Sequence, residues 1–191
     1  DFVLPAEFCF VIASSGVVAE KTGAAKEKYN RLSLMSQEIR KMFDEKLSLA
    51  EIVEKYGFEE VSSKLETQDL VNRLTQFYIE SYHLIPQVSE YLKKGEIDKI
   101  GELIDLSHQN ADKFLANQTP ETNFLQSSAR EIRAFAASAF GAGFGGSVYA
   151  LVKKSEAENF KDEWRASYLK KFPQHKEKAE FFITNAGESR F

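Results

Sequence analysis

Apolar residues change their spacing several times along the chain, and each change predicts a change of element. Glu7–Ser14 (EFCFVIAS) gathers aromatic and β-branched residues and ends at Ser14-Ser15-Gly16, which predicts a buried strand followed by a turn. From Ala24 the period lengthens. Leu32, Met35, Ile39 and Phe43 recur at intervals of three and four, as one face of a helix requires. Leu49–Tyr56 predicts a second helix closed by Gly57 as its C-terminal cap. A longer helix is expected from about Glu66 to Leu84, with Leu70, Leu74, Phe77 and Tyr78 in one stripe and Pro86 bending or ending it. Val88–Lys94 adds one or two turns up to Gly95, and Ile97, Ile100, Leu103 and Ile104 mark a further helix. Thr119-Pro120 reads as an N-cap with proline at the first helical position, opening a helix through about Ile132.

Strands then return. Ala134–Phe140 and Ser147–Lys153 are the candidates, the first weakened by its four alanines. Ser155 with Glu158 spells a capping box, and Phe160, Trp164 and Tyr168 fall on one face of the helix that follows, which Pro173 stops. Glu180–Asn185 predicts a last strand, with Ala186–Phe191 as a frayed tail. The order is strand, a large helical insert, two strands, helix, strand. It implies one α+β domain over residues 1–191: a ferredoxin-like four-stranded antiparallel sheet, expected to carry its helices on one face.

Composition narrows the function classes. Hydrophobic residues make up 43% of the chain and charged ones 28%, ordinary for a globular domain. A formal net charge of −4 argues against a nucleic-acid partner, and Lys153-Lys154 and Lys170-Lys171 read as solvated element ends. No run reaches membrane-spanning length, so no membrane partner is expected either. Cys9 stands alone within an apolar run, which excludes an intrachain disulfide and points to a reducing, cytoplasmic compartment. His83, His108 and His175 lack metal-ligand spacing, so no metal is expected on this chain. For His108 beside Asp105 and Asp112, helix capping or surface polarity is the expected role. The chain opens at Asp1, without an initiator methionine and close to a strand, as a fragment or processed product would.

One stretch exceeds what a fold alone needs. Gly141-Ala142-Gly143-Phe144-Gly145-Gly146 holds four of the ten glycines between two predicted strands. Gly141, Gly143 and Gly146 satisfy G-x-G-x-x-G, but a dinucleotide site requires a helix afterwards, and Val148, Tyr149, Leu151 and Val152 favour a strand. A protein-kinase glycine loop also fits the spelling, yet neither a catalytic loop nor D-F-G follows in the short remainder. A plain hairpin turn needs fewer glycines. The excess implies backbone packed closely against a phosphate or against another loop that holds one.

With its following strand, Gly141–Gly146 resembles the third signature of the GHMP small-molecule kinases, galactokinases in particular. Phe10–Gly16 followed by Tyr29-Asn30-Arg31 is similar to the strand and helix start that carry a sugar-contacting tyrosine in that family. Ser107-His108 resembles its Ser-His pair. Asn117–Asn123 resembles its Ser-Cys-Pro-Glu-Leu-Asp segment at Pro120 and Glu121, and Phe181–Ser189 its closing strand and tail. The chain departs from the family at Phe140 and Ser147, where threonine and cysteine usually flank the loop, and at Leu32, where a second arginine usually stands.

The resemblance covers only a C-terminal half. It implies an ATP- and Mg-dependent sugar kinase whose phosphate loop and catalytic aspartate lie in an N-terminal domain, the expected partner. No catalytic residue is then expected in this chain, and the chain alone is expected to be inactive. Gly141, Ala142, Gly143, Phe144, Gly145 and Gly146 would support the phosphate loop, and Tyr29 would bind the sugar. A non-catalytic sugar sensor of the same fold is the alternative.

Overall fold

The computed structural model describes residues 4–17 and 24–187, with the side chains of 24–29 outside that description. Strand β1 (Phe8–Ser14) pairs antiparallel with both β3 (Ser147–Lys153) and β4 (Glu180–Thr184), while β2 (Ala136–Phe140) pairs with β3. The spatial order is β2-β3-β1-β4, a ferredoxin-like antiparallel sheet. Between β1 and β2 lies the insert: α1 (Ala24–Phe43), α2 (Leu49–Tyr56), α3 (Phe58–Ser63), α4 (Gln68–Ile79), α5 (Ile85–Lys93), α6 (Ile100–Asn110) and α7 (Pro120–Glu131). Helix α8 (Ala157–Lys171) connects β3 to β4.

Strand alternation sorts the sheet into two unlike faces. Cys9, Val11 and Ala13 of β1 lie beside Val152, Ala150 and Val148 of β3, and all six are buried against Leu125 and Ala129 of α7 and the α8 stripe. Phe160, Trp164 and Tyr168 are that stripe, and all three are buried. The Trp164 indole N–H donates to the Leu125 carbonyl at 3.1 Å, so even its polar edge is satisfied. Burial lifts the Cys9 thiol above its ordinary pKa, the state of an inert core cysteine.

The opposite face departs from the one-face expectation. Phe8, Ala136 and Leu151 pack there against Ile97 and Ile100, with Val88 and Leu92 of α5 and Ile104 of α6 alongside. Insert helices thus cover one end of this face. Between these helices and the sheet lies a cavity of about 890 Å³, lined by Phe10, Ile12 and Tyr149 of the sheet and by Val88, Leu92 and Ile104 of the helices, and reaching Phe140. A separate helical core, with Ile39, Ile52, Val61, Leu70 and Leu74 at its centre, holds the front of the insert together.

Three local expectations need revision, each for an identifiable reason. Pro86 neither ends nor breaks the helix, because Glu80–Leu84 forms a π-helical turn directly before it. The Ile85 N–H reaches back to the Glu80 carbonyl, so the added residue shifts the ladder where proline has no N–H to give. The Ser155 capping box does not form: Lys154–Glu156 is a 3₁₀ turn, and α8 starts behind Glu156 without a side-chain cap. Strand β2 also starts later than Ala134, since Arg133 takes a left-handed φ of 76° after α7.

The open edge of β2 is closed by side chains. Arg130 gives its guanidinium to the Ala134 and Phe135 carbonyls while pairing with Asp105 at 3.0 Å. His108 is 4% exposed, which overturns its reading as surface polarity. Its Nδ1 accepts the Ala139 N–H at 3.3 Å, which leaves the proton on Nε2 for Asn123 Oδ1 at 2.9 Å. Burial pulls the His108 pKa below its ordinary 6.5, against the opposing pull of Asn123, Asp112 and Asp105. The fold therefore selects the neutral ring. Its contribution is complete above pH 6.5 and is lost as pH falls through the lower folded value. Thermal denaturation between pH 7.5 and 5 is expected to show a steeper loss of Tm for the wild type than for His108→Gln; parallel slopes would refute this role.

Candidate functional site

The glycine loop leaves the end of β2 and re-enters at β3, at the same end of the sheet where β1 finishes. Gly141, Gly143, Phe144, Gly145 and Gly146 all have positive φ, from 61° to 118°. For Phe144, at 61°, that conformation costs about 1–2 kcal/mol that a glycine would not incur. Surrounding contacts must hold it, and they come from two main-chain walls.

The first wall is Asn117, between the left-handed Ala116 and the first turn of α7. Its carbonyl accepts the Phe144 N–H at 2.5 Å. A Cβ on Gly143 would lie 2.2 Å from that same carbonyl oxygen, closer than any real contact. The second wall is the segment after β1. The Val17 carbonyl accepts the Gly146 N–H at 3.1 Å, the Ser15 N–H donates to the Gly146 carbonyl at 2.9 Å, and a Cβ on Gly145 would meet the Val17 oxygen at 2.8 Å. Two of the four glycines are therefore explained by close backbone approach, as the sequence pattern implied.

The walls are themselves anchored. Thr119 and Thr122 cap α7 reciprocally, each side chain taking the other's backbone N–H, with threonine standing where a capping box usually has Glu or Gln. The Asn117 side chain donates to the Ala142 carbonyl at 3.4 Å and accepts from Gln118 at 3.0 Å. On the other side the Tyr168 hydroxyl, from the α8 stripe, donates to the Ser15 carbonyl at 2.6 Å. Burial, then the nearby Glu121 charge, pushes its pKa far above the usual value, so it remains a donor. Glu121 meets His175 at 3.2 Å, tying the start of α7 to the turn before β4.

Gly141–Gly146 thus sits where it was expected, between two strands. Tyr29 belongs to α1, but its side chain lies outside the described residues. Sequence reasoning missed Asn117 as a partner of the loop, and Gln118 and Thr122 behind it, because residues so far apart in the chain carry no periodic signal. It also missed Tyr149, which lines the apolar cavity and whose hydroxyl pKa is pushed up to about 12 by burial and then by the Glu80 and Asp105 charges. Among the described residues no group of three His, Cys, Asp or Glu side chains converges as a metal site would need.

Residues 88–170 match the family model described as GHMP kinases C terminal. The galactokinase of Pyrococcus furiosus is 33% identical over 102 residues, covering 53% of this chain and 28% of that protein. The galactokinase of Limosilactobacillus fermentum is 30% identical over 156 residues, covering 80% of this chain and 40% of that protein. The chain spans well under half the length of these curated relatives. In fold it is similar to Lactococcus lactis galactokinase complexed with galactose, with a TM-score of 0.78 at 22% identity over 95% of this chain and 46% of that one. It is also similar to L. major mevalonate kinase in complex with R-mevalonate, with a TM-score of 0.52 at 17% identity over 93% of this chain and 41% of that one.

The loop geometry separates two glycines of similar φ. Gly143→Ala drives a methyl into Asn117, whereas a Cβ on Gly141, with φ +91°, meets nothing within 4 Å. Urea denaturation is expected to show a loss of about 1–2 kcal/mol for Gly141→Ala, the left-handed cost alone, and a clearly larger loss for Gly143→Ala. Equal losses would mean that the Asn117 wall does not constrain the loop.

Proposed function

We propose, from the match of residues 88–170 to the GHMP kinase C-terminal model and the similarity to galactokinases along most of the chain, that this is the C-terminal half of an ATP-dependent GHMP kinase that passes a γ-phosphoryl group to a sugar hydroxyl. The observation that carries this reading is the glycine loop, held in left-handed conformations between two main-chain walls at one end of the sheet. A loop fixed so closely is suited to brace a second, phosphate-binding loop. Gly141, Ala142, Gly143, Phe144, Gly145 and Gly146 take that supporting role, and Tyr29 offers its hydroxyl to the sugar.

Phosphoryl transfer depends on positioning and on neutralising charge rather than on covalent chemistry by the protein. On this reading the chain's part in the reaction is to position. Base, phosphate loop and metal ligands belong on this reading to an N-terminal domain. Two exposed aromatics on the second sheet face support such a partner: Phe140, at 49% exposure, lines the apolar cavity, and Phe182, at 48%, stands beside Ile12 on the same face. Phe140 immediately precedes the glycine loop, so a domain seated there would meet the loop as well.

Two outcomes are expected. The 191-residue chain, assayed by coupled ADP release with Mg·ATP and a panel of hexoses and pentoses, shows no phosphorylation above background, and the two-domain protein phosphorylates a sugar. Turnover by the isolated chain, or none by the two-domain protein, would sink the reading. In sedimentation the isolated chain associates as its concentration rises, and Phe140→Ser with Phe182→Ser weakens that association; a monomer at millimolar concentration would count against the exposed face as a docking surface.

A further inference from the structure

Asn117 makes two bonds to the glycine loop, and they straddle one residue. Its carbonyl takes the Phe144 N–H at 2.5 Å, and its side-chain Nδ2 donates to the Ala142 carbonyl at 3.4 Å. Gly143 lies between them, with no room for a Cβ against the same residue. One residue, 7% exposed, thereby holds the loop on both sides of its tightest point, with its main chain on one side and its side chain on the other.

The orientation of that side chain is itself determined. Gln118 Nε2 donates to Asn117 Oδ1 at 3.0 Å, which leaves only Nδ2 to face Ala142. Gln118 Oε1 accepts from Thr122 Oγ1 at 3.1 Å, which settles the Gln118 amide in turn. Thr122 is fully buried and belongs to the reciprocal cap of α7. A directional relay therefore runs from the first turn of α7 through Gln118 and Asn117 to Ala142. The Thr122 hydroxyl shares its one proton between Gln118 Oε1 and the Thr119 carbonyl at 3.2 Å, while the Asn117 amide is fixed from both sides, by the Gln118 donor and the Ala142 acceptor.

Resting on the kinase reading above, we propose that Asn117 is a positioning residue for the nucleotide phosphates, acting through the glycine loop, with Gln118 fixing its orientation. The predicted consequence is selective. A loop displaced from Asn117 loosens the phosphate side of the site and leaves the sugar side, which belongs to Tyr29 and the other half, as it was.

Two near-isosteric substitutions test this in the two-domain protein. Asn117→Asp replaces the donor facing Ala142 with a carboxylate oxygen, turning attraction into repulsion at unchanged volume. Gln118→Glu leaves the residue that touches the loop intact but removes the donor to Oδ1, so the Asn117 amide turns its N–H₂ to the new carboxylate and its oxygen to Ala142. Each is expected to raise the KM for Mg·ATP about tenfold, the scale of one lost polar interaction, with the sugar KM within about twofold of wild type.

An Mg·ATP KM unchanged in Asn117→Asp would overturn the proposal. So would a parallel rise in both KM values that tracks a fall in Tm, since that is the mark of a merely structural residue. Should the wild-type two-domain protein transfer no phosphoryl group, the kinase reading fails, and the positioning claim is decided on the 191-residue chain. There, amide exchange at Phe144 is expected to quicken about tenfold in Asn117→Asp, and unchanged exchange would refute the positioning role.

Discussion

The constraint on which the site depends is the approach of three backbone segments at one end of the sheet. The glycine loop lies between Asn117 and Val17, and in both places the contact is carbonyl oxygen against a glycine Cα. Side chains cannot make such an approach; only a missing Cβ permits it. The left-handed torsions follow from it, because a loop entering and leaving along antiparallel strands must turn within six residues while presenting N–H groups to both walls. The strain at Phe144 is then a local cost offset by the hydrogen bonds on either side.

The walls are rigid because each grows from a core element. Val17 and Ser15 extend β1, the strand paired on both sides, and Ser15 is held by Tyr168 from the buried α8 stripe. Asn117 leads into α7, whose apolar side packs on the same sheet face. Helices α7 and α8 thus have two duties. They bury the first face of the sheet, and they carry that order outward to the loop. A cavity in the α8 stripe would loosen the Tyr168 bond to Ser15 and with it the second wall.

Much of this was legible in the pattern of residues. The strands at Phe8–Ser14 and Ser147–Lys153, the α8 stripe and the Thr119 cap follow from periodicity and local chemistry, which act over a few residues. What stayed hidden depends on contacts between distant parts of the chain. The π turn that accommodates Pro86 serves a helix whose course is set by packing, and a proline read locally signals only a break. His108 looked polar and peripheral because nothing near it in sequence reveals that the Ala139 N–H on the β2 edge needs an acceptor. The loop itself was recognisable by its glycines, but its partners were not. The resemblance at Asn117–Asn123 rested on Pro120 and Glu121, and nothing in it marked Asn117 as the residue to which the fold brings Ala142.

The two faces of the sheet explain why a site stands at this end. The face under α7 and α8 is closed along its whole length, so that side of the domain is complete. The other carries α5 and α6 across an apolar cavity and leaves Phe140 and Phe182 about half exposed toward its loop end. This more exposed end is also the end that carries the glycine loop. An apolar surface next to a strained loop concentrates two costs in one place, and seating a second domain there would relieve the first while using the second. Burial of Phe140 would press on the loop's entry, and Asn117 and Val17 would keep the loop from yielding.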